Sequence, residues 1–546
     1  MLELDKSEWT LSQAVRRQAQ NLGEAPFLTF LDPAGGEPRV LSFAEFDRRG
    51  DEVARALVGL GVTPGDRVMM LGYNSLEFMI SMIGANRAGA VFVPINTELK
   101  GAFLAHQLVN SEPTVVIVDD DLVGAFDSVD RGGGSVKATV VVGDVPDRLP
   151  GPLAGSEAMD YRGLLSRAPG KAPLPPEPEP GDISTIMYTS GTTGPSKGVL
   201  MPQAHCLMFG MGTVRAVDLT PDDHYFICMP LFHANGLLMQ VYGCLMAGTP
   251  ATVVRRFSPN SWLDDVIGCG ATVTNALGVM PEFIFRTPPT DRDRDHSLRL
   301  VMAVPISVEW GEAFEERFGL RLFQGFGMTE CNIPVYSDPA DPLMPGCAGR
   351  VLEDWFEVRV VDPDTDEPLA PDEVGEIVVR PREASCFMAG YFRMPDKTVE
   401  AWRNLWFHTG DAGRFDPGGR LWFVDRIKDC IRRRGENISS FEVEQVINNH
   451  PAVAESAVVG VKVPGAGGEE EVKACVVLHP GASLTPEELL EHCQESMPRY
   501  AVPRFVEWMT GLDKTQTGKI RKTELREAGV TGATWDRESV GWVVPR

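Results

Sequence analysis

YTSGTTGPSKGV, residues Tyr188–Val199, decides how this chain is read. It holds three glycines, five Ser/Thr hydroxyls and one lysine, and it continues a strand-like run, STIMYTS (Ser184–Ser190). Glycine lets backbone N–H groups turn toward an anion and approach it closely. Thr189, Ser190, Thr192, Thr193 and Ser196 offer hydroxyl donors, and Lys197 adds a positive charge. Such a cluster suits a polyphosphate. It is not a Walker A loop, because Gly191 and Gly194 precede Lys197 at the wrong spacing and Gly198 follows it. The same composition also describes an ordinary surface loop. Gly194–Gly198 matches G-x-S-x-G as well, which would make Ser196 the nucleophile of a serine esterase. That motif needs a sharp strand-to-helix turn, whereas here Pro195 and Lys197 flank the serine inside a longer loop.

The rest of the chain bounds what the loop can serve. At 546 residues it is too long for one ordinary core, so two or more domains are expected. Apolar residues make up 43% and charged residues 23%, the balance of a globular protein. A net charge of −25 argues against nucleic acid or an anionic membrane as partner, so any anionic ligand must meet a local basic cluster. Ten cysteines without a C-x-x-C pair read as reduced thiols of a cytoplasmic protein. The N-terminus MLELDKSEWTLSQ has no apolar signal segment. Met229–Val254 carries no Asp, Glu, Lys or Arg, but His233, Asn235, Gln240 and the Gly248-Thr249-Pro250 break make it a buried helix, turn and strand rather than a membrane span.

Strand and helix patterns alternate along the first half. Arg67–Leu71, Ala90–Ile95 and Thr114–Asp121 read as buried strands, and Ser75–Gly89 as a helix with Ser75 as its N-cap. That order implies α/β subdomains with mostly parallel sheets. Pro169–Pro180 is a stiff linker leading into the opening loop. Glu376–Arg380 and Arg420–Asp425 read as short strands, and the composition changes near Asp425. Beyond it two strand-like runs and a helix opened by Thr485, Pro486 and Glu488 predict a small α+β domain of about 120 residues.

Several short stretches carry chemistry. GFGMTE (Gly325–Glu330) ends on a hydroxyl and a carboxylate, and a carboxylate with phosphate oxygens is what Mg²⁺ prefers; an ordinary strand-end turn looks the same. HTGD (His408–Asp411) offers a loop carboxylate for two ribose hydroxyls, or a capping aspartate. Arg426, Lys428, Arg432, Arg433 and Arg434 form the densest basic run of an acidic chain, as a phosphate site or a solvated face. TQTGKIRK (Thr515–Lys522) presents Lys519 on a small polar loop. PLFHANG (Pro230–Gly236) sets His233 between apolar residues, as a core histidine or a gate to a substrate channel.

Taken in order, YTSGTTGPSKGV, PLFHANG, GFGMTE, HTGD, DRIKD with RRRGENISSFEVE, and TGKIRK resemble the motifs of the adenylate-forming (ANL) superfamily across nearly the whole chain. RRRGENISSFEVE and FEERFGLRLFQGFGMTE are most similar to acyl-CoA ligases of the carnitine/crotonobetaine-CoA ligase-like group. The resemblance implies a large N-terminal domain, 1–425, holding ATP and the acyl pocket, a hinge at 426–428, and a small mobile C-terminal domain, 429–546. It implies a two-step reaction. A carboxylic acid attacks the α-phosphate of MgATP to give acyl-AMP and pyrophosphate, and the thiol of coenzyme A then displaces AMP. An acyl-AMP ligase serving a carrier protein is the alternative within the superfamily.

Roles follow from the same resemblance. Thr189, Ser190, Gly191, Thr192, Thr193 and Lys197 would hold the β- and γ-phosphates. Thr329 would touch the α-phosphate and Glu330 the Mg²⁺. Gly325, Phe326, Gly327 and Met328 would run along the nucleotide, with Phe326 packed near adenine. Asp411 and Arg426 would bind the ribose. Lys519 would bridge the carboxylate and α-phosphate in the first step. Lys428 would be the hinge, and Gly435 would line the thiol tunnel in the second step. His233 would stand where acyl pocket and tunnel meet. Asn275, Ala276 and Gly278 are small and uncharged, which leaves room for a bulky, apolar or polycyclic acid. A homodimer is common among such enzymes. Departures from the usual pattern are Met302–Trp310 on the adenine side and Arg434 where a second glycine is frequent.

Overall fold

A computed structural model describes residues 1–32, 35–129, 134–167, 173–189, 196–278, 280–308, 310–426, 431–433, 436–438, 440–463, 470–497, 501–514 and 520–542. The chain packs as two compact units. The first is built from Met1–Thr189, Pro195–Glu357 and Arg380–Trp402, the second from Val358–Val379 and Arg403–Arg546.

Two large sheets organise the first unit. In one, the strands Glu157–Asp160, Ala138–Val142, Val115–Asp119, Arg67–Leu71, Val91–Ile95 and Ile183–Thr189 lie side by side and parallel. Lys197–Pro202 then pairs antiparallel with Ile183–Thr189, and Gly390–Tyr391 pairs antiparallel with Lys197–Pro202. In the other, Arg321–Phe323, Leu300–Val304, Val273–Leu277, Tyr225–Ile227, Ala251–Val254 and Pro26–Leu31 are parallel. The expected mostly parallel α/β architecture is what the strands form. Runs such as VVIVD are buried on both faces, as parallel sheets covered by helices require.

The helices read correctly from their caps. Ser75 accepts the Phe78 N–H at the start of Leu76–Arg87, a helix in which every residue but Glu77 is buried. Its Arg87 is neutralised by Asp47 and by Asp51 at 3.0 Å, since an unpaired cation there would be costly. The strand expected to reach Asp121 ends at Asp119. The Asp119 carboxylate accepts the Tyr73 N–H at 2.8 Å, and Asp120–Ser128 winds into a 3₁₀ helix. No helix among the described residues is long and apolar enough to cross a membrane. The segment from Asn235 is a buried π-helix, Asn235–Val241, followed by an α-helix, Tyr242–Ala247.

In the second unit, Gly375–Pro381, Trp406–Phe415 and Leu421–Arg426 form an antiparallel meander. A hairpin, Ile431–Arg433 with Glu436–Ile438, follows, and then the helix Ser440–Asn448. Val453–Lys462, Glu470–Leu478, Phe505–Trp508 and Trp535–Asp536 make a four-stranded mixed sheet, the expected α+β fold. The capping box of Thr485 and Glu488 with Pro486 in the first turn is present.

Candidate active site

The described part of the opening motif is a hairpin. Thr189 closes one strand and Lys197 opens the next, with the two Cα atoms paired in register. Ser190, Gly191, Thr192 and Thr193 lie outside the described residues. Ser196 leads into a strand, not a helix, so the strand-to-helix elbow of a serine hydrolase is missing. Its hydroxyl accepts from Gln107 Nε2 at 3.2 Å, and the neighbouring His106 ring bonds the Ser196 carbonyl oxygen at 2.9 Å. No ring nitrogen among the described hydrogen bonds holds that hydroxyl, and the esterase reading falls.

Lys197, Tyr391 and Glu330 form the centre of the site. The short strand Gly390–Tyr391 lies against Val199 and Leu200, which brings the Tyr391 ring within 4.1 Å of Lys197 Nζ. A lysine ammonium over an aromatic face is attracted by the ring quadrupole. On its other end the Tyr391 hydroxyl donates to Glu330 Oε1 at 3.0 Å. Burial first, and then the Glu330 charge, push the Tyr391 phenol above its ordinary value, so it stays a donor at neutral pH. A cation and a carboxylate are thus spaced by one rigid ring, with Glu330 only 7% exposed. Nothing in the sequence of SCFMAGYF marks Tyr391; only strand pairing reveals it.

Glu330 and Thr329 sit on the tight turn between Gly325–Met328 and Asn332–Tyr336. GFGMTE is therefore a strand entering a hairpin. A Cβ on Gly327 would stand 2.1 Å from the Asn332 carbonyl oxygen, and one on Gly325 2.8 Å from that of Val335. These glycines are required by the hairpin itself, whatever else they approach. Asn332 closes the turn at φ +68°, and its Nδ2 donates to the His205 carbonyl oxygen at 3.0 Å. The His205 ring in turn donates from Nε2 to the Thr329 carbonyl oxygen at 2.9 Å. Met388 N–H donates to the Glu330 carbonyl oxygen. The turn is held from both sides, and Phe326 is buried beside it.

His205 carries a pH signature. Burial pushes its ring down to about 4. A histidine kept neutral in the fold and protonated near 6.5 when unfolded gives stability that is complete above pH 6.5 and lost as pH falls toward 4. The full span is about 3 kcal/mol. His205→Gln should lose stability at pH 7.5 yet show a shallower decline between pH 6.5 and 4, read as urea midpoints at several pH values. Parallel declines would show that His205 is not the group.

His233 is exposed at the head of the π-helix, so it is no core histidine. Its loop is fixed from behind by Asn74, whose Nδ2 donates to the Met229 and Val254 carbonyl oxygens and whose Oδ1 accepts the Leu231 N–H.

In the second unit Asp411 lies within a strand rather than on the expected loop. Gly410 at φ +72° and a bulge at Ala412 turn that strand locally. Gly410 N–H donates to Glu376 Oε1 at 3.0 Å, and Thr409 Oγ1 to the Ile377 carbonyl oxygen. Asp411 is buried and is the direct cross-strand partner of Arg426, so the two residues assigned to the ribose share one register position. Lys428, Gly435 and Lys519 lie outside the described residues.

Among the described residues no group of three or more His, Cys, Asp or Glu could hold a metal ion. A Mg²⁺ at Glu330 would take most of its ligands from phosphate and water, the habit of that ion at nucleotide sites. One carboxylate with a nearby hydroxyl fits it.

A sequence profile described as AMP-binding enzyme matches residues 15–392, and one described as AMP-binding enzyme C-terminal domain matches residues 442–519. The crotonobetaine/carnitine–CoA ligase of Salmonella typhi is 31% identical over 494 residues, covering 90% of this chain and 94% of that protein. ATP-bound MatB from Rhodopseudomonas palustris matches with a TM-score of 0.78 at 26% identity, over 95% of this chain and 98% of the other. The anthranilate–CoA ligase AuaEII in complex with anthranoyl-AMP matches with a TM-score of 0.82 at 25% identity, over 96% and 98%.

Proposed function

As a member of the AMP-binding enzyme family this chain is an AMP-forming acyl-CoA ligase, and we propose that its acid is activated at the Lys197–Tyr391–Glu330 array. The array supports this reading because adenylation concentrates negative charge on the transferring phosphoryl group, and a fixed cation beside a metal-binding carboxylate meets that charge without reorganising.

The division of labour then runs along the chain. Thr189, Lys197 and the loop between them take the pyrophosphate end of ATP. Thr329, held through its carbonyl by His205, is positioned for the α-phosphate, and Glu330 for Mg²⁺. The metal, when bound, neutralises phosphate oxygens. Gly325–Met328 borders the nucleotide, and Asp411 with Arg426 takes the ribose. Lys519 steadies the attacking carboxylate against the α-phosphate. Residues 426–428 act as the hinge between domains 1–425 and 429–546, with Lys428 as its pivot. Gly435 lines the path of coenzyme A, and His233 stands where that path meets the acid. The acid has a largely apolar body, in keeping with the uncharged residues Asn275, Ala276 and Gly278. The free thiols of the nine described cysteines support a cytoplasmic location. A homodimer is the expected assembly.

The experiment is AMP release from ATP over a panel of fatty, aryl, zwitterionic and polycyclic acids, with and without coenzyme A. Release that needs both an acid and coenzyme A is expected. Acid-dependent exchange of pyrophosphate into ATP, with no AMP release on adding coenzyme A, would instead mark an acyl-AMP ligase that serves a carrier protein.

A further inference from the structure

Just past His233, a chain of polar side chains is buried where apolar ones would serve the fold. Asn235–Val241 is a π-helix, a form frequent at functional sites. In an α-helix, residues five apart point roughly 140° away from each other. The wider turn here puts Asn235 and Gln240 together, and Gln240 Nε2 donates to Asn235 Oδ1 at 2.7 Å. Asn275 Nδ2, from the strand Val273–Leu277, donates to the same oxygen at 3.1 Å. The Tyr225 hydroxyl, from the neighbouring strand, donates to Asn275 Oδ1 at 2.6 Å.

Two valences are left over. Gln240 Oε1 is fully buried and accepts nothing. The Asn235 amide N–H₂ meets only the Met239 sulfur at 3.3 Å, a weak acceptor. Leu237, Leu238 and Val241 of the same π-helix are buried as well. A buried carbonyl without a donor is costly, and a methionine at 240 would avoid the cost. The chain therefore keeps one donor and one acceptor, both uncharged, at the buried end of the segment that begins with His233.

We propose that this cluster selects the acid: the substrate carries, away from its carboxylate, a neutral hydrogen-bonding group such as a hydroxyl, which accepts from Asn235 and donates to Gln240. This rests on the reading that the acid lies beside His233 in a ligase. The four side chains Tyr225, Asn235, Gln240 and Asn275 hold no charge, so a cationic or anionic tail would be buried without a counterion and rejected. Gln240 and Asn235 are specificity-determining residues, and Tyr225 positions Asn275.

The test uses the full-length protein and matched acids: ω-hydroxyalkanoic acids against alkanoic acids of equal length, and para-hydroxyphenylpropanoic against phenylpropanoic acid. The readout is kcat/KM for acid-dependent pyrophosphate exchange, beside the thermal midpoint. Wild type should prefer the hydroxylated member of at least one pair by about tenfold or more. Gln240→Met should erase or invert that preference and raise the thermal midpoint. Tyr225→Phe, which keeps the volume, should weaken the preference without erasing it. Equal exchange with both members of every pair, or a preference unchanged in Gln240→Met, overturns the proposal and leaves the ligase intact. Exchange with no acid at all overturns both.

Discussion

Lys519→Ala should lose acyl-AMP formation by about 10²–10³-fold or more and still convert supplied acyl-AMP and coenzyme A to thioester. The split follows from the chemistry. In the proposed role the lysine meets the negative charge that builds between carboxylate and α-phosphate, and the thiol attack that follows has no such demand. Both flanks of its segment are fixed. Lys514 and Ile520 bridge, Arg521 N–H donates to the Asp513 carbonyl oxygen at 2.8 Å, and Lys522 Nζ is 2.8 Å from Glu444 and 2.5 Å from Ser440 Oγ. The described residues on either side of Lys519 are thus anchored to their own unit, which suits the proposed role of that lysine in one half-reaction. Equal loss of both steps would remove Lys519 from the first.

Glu330→Gln should lower pyrophosphate exchange by about 10²-fold and move its Mg²⁺ optimum upward. The exchange is nearly isosteric, and the Tyr391 hydroxyl can still donate to the remaining carbonyl oxygen, so the turn and the array keep their shape. What changes is the charge. A Mg²⁺ titration of exchange in wild type and variant reads it directly. Superimposable titrations would show that the carboxylate serves the hairpin and not the metal.

Most of the architecture was legible because it rests on short-range physics. Ser75 and Thr485 announce their helices through caps, and VVIVD and RVMML announce buried parallel strands through β-branched and apolar runs. The order of the motifs carried the family. What could not be read is the pairing that assembles the site. Tyr391 matters because its strand lies on Val199, almost two hundred positions away, and His205 because the largely buried helix Gln203–Val217 brings it under Thr329. HTGD looked like a loop because His, Thr, Gly and Asp favour turns, yet its hydrogen bonds to Glu376 and Ile377 and its register with Arg426 keep it in a strand. The glycines of GFGMTE looked like ligand contacts, and the hairpin backbone needs them first.

In the proposed reaction a carboxylic acid is adenylated at the site built around Lys197, Tyr391 and Glu330. Acid-dependent exchange of labelled pyrophosphate into ATP tests it most directly, because it reports the first half-reaction without coenzyme A. The expected exchange appears only with an acid, requires Mg²⁺ and collapses in Glu330→Gln. Acid-dependent exchange that survives unchanged in Glu330→Gln would contradict the assignment of the site, and ATP binding without exchange for any acid would contradict the chemistry.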